Sequence, residues 1–70
     1  MMFRVGDIVT GTKRHPYTIT DNQGIMRVEE VRDDNMIVVR LLSHETKKDF
    51  IGQRFSVDST YFKKIGACLR

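Results

Sequence analysis

The chain has 70 residues, 40% hydrophobic and 30% charged, with 12 Lys and Arg against 9 Asp and Glu, a net charge of +3. That length allows one domain with a thin core, burying only about 60% of the surface its unfolded form exposes, and leaves little room for a deep catalytic pocket. The apolar content is too high for a disordered chain, and the modest positive charge permits an anionic partner without demanding one.

No apolar run approaches the roughly eighteen residues of a membrane span; the longest, residues 36–39, is the size of a strand. The stretch from Met1 to Val5 meets Gly6 and Asp7 without a signal-peptide core, and the single cysteine, Cys68, cannot form an internal disulfide. Both features predict a cytoplasmic protein with no membrane association.

The first strand is expected over residues 7–12, where Ile8 and Val9 are strong strand formers between two glycines, Gly6 and Gly11. A long polar loop, residues 13–24, follows. Pro16 pushes His15 towards extended geometry, residues 17–20 have the composition of a strand, and residues 21–24 read as a turn. Long ordered loops in small domains are frequent places for binding.

The second strand is expected over residues 25–32. Its apolar positions, Met26, Val28 and Val31, break the period of two across Glu29 and Glu30, which predicts a bulge. Residues 33–35 make a tight turn, and the third strand, residues 36–42, is the most apolar and belongs in the middle of the sheet. A second polar loop begins at His44. The fourth strand is expected over residues 53–57, with a cap at residues 58–60, a 3₁₀ turn at Tyr61 and Phe62, a short last strand at residues 63–65 and a loose tail from Gly66. Phe3, Ile8, Val28, Val38, Leu41, Phe50 and Phe55 are the expected core. The whole chain, residues 1–70, reads as one domain with an ordered part from about residue 5 to 65.

Three stretches carry a resemblance to a known fold. The opening Val5-Gly6-Asp7-Ile8-Val9, the glycine-led strand at Gly24 to Val31, and the closing segment from Phe55 to Ile65 resemble the small SH3-like barrels of the "VGD-x-V" type found in bacterial and phage-encoded proteins. The resemblance implies an all-β, five-stranded SH3-like barrel with a long first loop and a 3₁₀ turn before the last strand. It implies no single function, because barrels of this shape serve many. The tryptophan of the peptide-binding signalling barrels is missing, and too few aromatics are available for a methyl-lysine cage.

Lys13, Arg14 and His15 beside Tyr17 form the most suggestive cluster, since positive charge next to a stackable ring suits a nucleic-acid backbone and an unstacked base. In the implied topology the 3₁₀ turn lies near the first loop, so Tyr61 and Lys63 join Lys13, Arg14, His15 and Tyr17 on one surface. The acidic turn at residues 33–35 belongs to the same end and weakens attraction for phosphate; Lys47 and Lys48 belong to the opposite end. His15, His44 and Cys68 are scattered singly, without the paired spacing of a metal site, and no catalytic triad, phosphate loop or acid pair stands out. The expectation is therefore a non-catalytic module with no cofactor and no metal. It is a small adaptor or inhibitor that binds another protein, with nucleic-acid binding through the basic loop and Tyr17 as the alternative. Its strand edges also offer a route to a homo-oligomer.

Overall fold

In the computed structural model, which describes residues 3–12, 17–32 and 35–67, the chain is all-β: five antiparallel strands form one sheet, with two 3₁₀ turns. The strands are β1 (Asp7–Gly11), β2 (Gly24–Val31), β3 (Met36–His44), β4 (Arg54–Asp58) and β5 (Phe62–Ala67); the turns are η1 (Lys48–Phe50) and η2 (Ser59–Tyr61). The strand order is β4-β3-β2-β1-β5, so the sheet ends in two edges, β4 and β5.

The entry to β1 shows why Val5-Gly6-Asp7 stands there. Asp7 N–H donates to the Arg4 carbonyl at 3.0 Å, closing a four-residue turn whose third residue, Gly6, has φ 97°. Only glycine takes that conformation cheaply. The Asp7 carboxylate accepts from Arg4 N–H at 2.9 Å and lies 3.5 Å from Lys64 Nζ, which fastens the turn to β5.

Alternation then sets the core. Val9 in β1, Met26 and Val28 in β2, and Ile37, Val39 and Leu41 in β3 face inward and meet Phe3, Val57 and Phe62. Burying each such side chain contributes about 1.5–3 kcal/mol, the main favourable term in a domain this small. The phase of β1 corrects one expectation: Val9 is the core residue and Ile8 is half-buried on the other face. Phe50 and Phe55 pack against the core while partly exposed, and Val38 is buried outside the main cluster.

The expected bulge is present. Val28 pairs Val39 and Glu30 pairs Val38, leaving Glu29 without a register partner. The bulge sets Val31 opposite the buried Ile37 and so on the inner face, as the broken spacing implies, while its place at the end of β2 leaves it 44% exposed. Residues 17–20 stay in the first loop, and several boundaries move: β3 continues past Leu42 to His44; η2 occupies Ser59–Tyr61 where the turn was expected at Tyr61 and Phe62; and β5 runs on through Gly66 and Ala67, where a loose tail was expected. The extra length of β5 follows from pairing, since Asp7 and Ile8 of β1 match Ala67 and Gly66. The cap at Asp58 is as expected: its carboxylate accepts from Thr60 N–H at 2.9 Å and from the Thr60 hydroxyl at 2.8 Å, and η2 starts one residue later.

Candidate functional site

Among the expected site residues, the structure brings Tyr17 and Tyr61 together. Their rings meet edge to face, with centroids 6.1 Å apart and planes at 87°, a favourable arrangement for two aromatic quadrupoles. Both rings are half-buried and lean on the core. The positions follow from backbone pairing: Thr12 N–H donates to the Tyr61 carbonyl at 2.9 Å, and Asp58 N–H donates to the Tyr17 hydroxyl oxygen at 3.4 Å. Ser59 N–H donates to the Asn35 carbonyl, which brings Asn35 to the same end. Lys63 is exposed in β5, opposite Thr10 in register. Lys13, Arg14 and His15 lie outside the described residues, as do Asp33 and Asp34.

Beside Tyr17 a groove of about 350 Å³ runs between residues 17–20 and the strand segment Phe55 to Val57 of β4. Its walls mix a phenol, hydroxyls and the apolar side chains of Ile19, Phe55 and Val57. Such a lining suits an amphipathic protein segment better than a compact charged ligand.

Two polar clusters escaped the sequence reading. The first is His44, which the sequence placed in a solvated loop. Its side chain is fully buried, and Nε2 lies 3.0 Å from Asp21 Oδ1. The ring nitrogen Nδ1 accepts from Thr46 N–H at 3.1 Å and Lys47 N–H at 2.9 Å. With Nδ1 an acceptor, Nε2 carries the proton and donates to Asp21. Neither nitrogen is left to take a proton from a nucleophile, so this Asp–His pair is a clip and not half of a catalytic triad. It fixes the end of the first loop, where Asp21 Oδ1 also accepts from Gln23 N–H at 3.0 Å. The glycine opening β2 was the available signal. A β-carbon on Gly24 would stand 2.9 Å from His44 Cδ2 and 3.1 Å from Leu41 Cδ1, so the imidazole packs where a side chain is missing.

The second cluster lies on the outer face of the sheet. The bulged Glu29 receives Arg40 at 2.9 Å, Arg27 at 3.2 Å and Arg54 at 3.3 Å, while Glu30 meets Arg32 at 3.0 Å and Arg54 at 3.7 Å. The Arg40 hydrogen bond holds the Glu29 carboxyl below the usual range against an opposing effect of burial, and Glu29 in turn raises Arg40. The bulge accounts for the convergence, because it leaves Glu29 unpaired and aimed across β3 towards β4. Exposed charges in such a lattice position one another and add little stability.

Among the described residues, no group of three or more His, Cys, Asp or Glu side chains is placed to hold a metal ion, and no helix is long and apolar enough to cross a membrane. No protein-family model matches the chain, and neither a curated protein nor a solved structure is similar to it at a significant level.

Proposed function

We propose that the chain is a non-catalytic binding module on an SH3-like barrel plan, a small adaptor or inhibitor that binds another protein through the end carrying Tyr17, Tyr61 and η2. The observation that carries this reading is the edge-to-face tyrosine pair, of which Tyr17 also lines the groove between residues 17–20 and β4. Tyrosines held rigidly with part of each ring in solvent are effective anchors at protein interfaces, because little side-chain entropy is lost on binding. The His44 clip, its nitrogens committed to Asp21 and two backbone groups, supports a module without chemistry of its own.

Affinity capture from the native host lysate tests the proposal. The wild type is expected to retain a protein after nuclease treatment and with only a mild dependence on salt. Tyr17→Ala and Tyr61→Ala should each reduce capture about tenfold or more, as removal of an aromatic anchor does. Retention that vanishes with nuclease and falls steeply with salt would identify a nucleic-acid module instead. Undiminished capture by both alanine variants would refute the tyrosine surface.

A further inference from the structure

The two sheet edges differ in what they present to another strand. We propose that β4 pairs with β4 of a second copy of this chain, antiparallel and centred on Ser56, giving a weak symmetric dimer.

The parity of the β3–β4 ladder decides which backbone groups of β4 face outward. Ser59 N–H donates to Asn35 and Leu41 N–H donates to Gln53, while the register matches Ile37 with Val57 and Val39 with Phe55. Hydrogen-bonded pairs alternate along an antiparallel ladder, so Phe55 and Val57 turn their backbone groups towards β3. Arg54, Ser56 and Asp58 therefore turn theirs towards the free edge. The bond from Asp58 N–H to the Tyr17 hydroxyl, which leaves on that side, agrees with this parity.

The sequence of that edge is self-complementary. Arg54, Ser56 and Asp58 share one face of the strand, and a twofold axis through Ser56 sets Arg54 opposite Asp58 of the second copy, twice. The same register places each outward pair in a hydrogen-bonded position and sets Phe55 beside Val57 of the second copy on the inner face. Sliding the pairing by two residues removes both charge matches. The groove of about 350 Å³ alongside Phe55 to Val57 gives the incoming strand space, and its backbone takes over the Asp58 N–H that Tyr17 holds at a long 3.4 Å. The other edge does not offer this. A comparable twofold pairing of β5 about Lys64 would set Lys64 against its own copy, and lysines on an edge strand are a common guard against such pairing.

A five-residue ladder falls short of the roughly 1,200 Å² of a standard stable interface, so the dimer belongs in the micromolar-to-millimolar range. Sedimentation velocity over about a hundredfold rise in concentration should show monomer passing to dimer. Ser56→Pro removes an outward N–H without taking a bond from β3, and should abolish the dimer while a far-ultraviolet spectrum stays unchanged. The charge test is more specific. Arg54→Asp leaves an edge with two carboxylates and Asp58→Arg leaves one with two guanidiniums; each alone should stay monomeric, and an equimolar mixture should dimerise. A monomer at every concentration would overturn the proposal and leave the edge to a strand from a different protein. A dimer indifferent to Ser56→Pro and to charge would also overturn it, placing self-association on another surface.

Discussion

At the C-terminal end of β3 the polar groups are consumed inward. His44 is buried against Asp21, its other nitrogen takes two backbone N–H groups, and Gly24 leaves room for the ring. At the N-terminal end the closure is looser: two half-exposed tyrosines, one long hydrogen bond from Asp58, and an open groove beside β4. A small sheet needs its loops fastened, because few buried side chains hold it together. One end achieves this with a polar clip whose two ring nitrogens are both engaged, beside a cleft of about 380 Å³. The other uses aromatic contact between two half-buried rings, the surface proposed above to meet a partner.

Breaking the clip should have the largest effect. His44→Ala removes a buried ring and leaves Asp21 and two backbone donors without their partner, an expected loss of about 2–4 kcal/mol in the unfolding free energy measured by denaturant titration. That is a large fraction of the stability of a chain this size. Gly24→Ala crowds the same ring from the other side and should cost about 1–3 kcal/mol, with the His44 resonances displaced and those of Tyr61 unmoved. If Gly24→Ala were neutral, the close approach to the imidazole would be no constraint and the contrast between the ends would lose its basis.

At the tyrosine end the expected changes are smaller. Asp58→Ala removes the cap of η2 and should lower the denaturant midpoint by less than either change at the clip. The hydrogen bond from Thr60 N–H, helped by the Thr60 hydroxyl, holds the Asp58 carboxyl below its ordinary 3.8. A carboxyl lowered in the folded state stabilises the protein above its unfolded value, and that contribution is lost as the pH falls through the lowered one. The Thr60 amide resonance should therefore titrate on the acid side of 3.8, and Asp58→Asn should abolish the transition.

The sequence revealed what short-range rules control. The glycine turn at Gly6, the broken alternation at Glu29 and the cap at Asp58 each depend on residues within a few positions, and each is present. The expectation that Tyr17 and Tyr61 share a surface agrees with the ring contact, whereas the strand order, which puts β2 and not the more apolar β3 at the centre, is set by long-range pairing. The buried state of His44 was hidden because β3 outlasts its apolar run. A register shift between Ile25 and Met26 carries His44 inward, opposite Gly24, through a pairing that spans 20 residues of chain. Ile8 was misplaced for a related reason: alternation gives the period but not the phase, which the neighbouring strand sets.

Site-specific photocrosslinking in host cells tests the division between the ends most directly. A photoreactive phenylalanine analogue replaces Tyr61 in one variant and Thr46, beside the clip, in another. The account predicts a covalent adduct with a second protein from position 61 and none from position 46. Adducts from position 46 alone would contradict it.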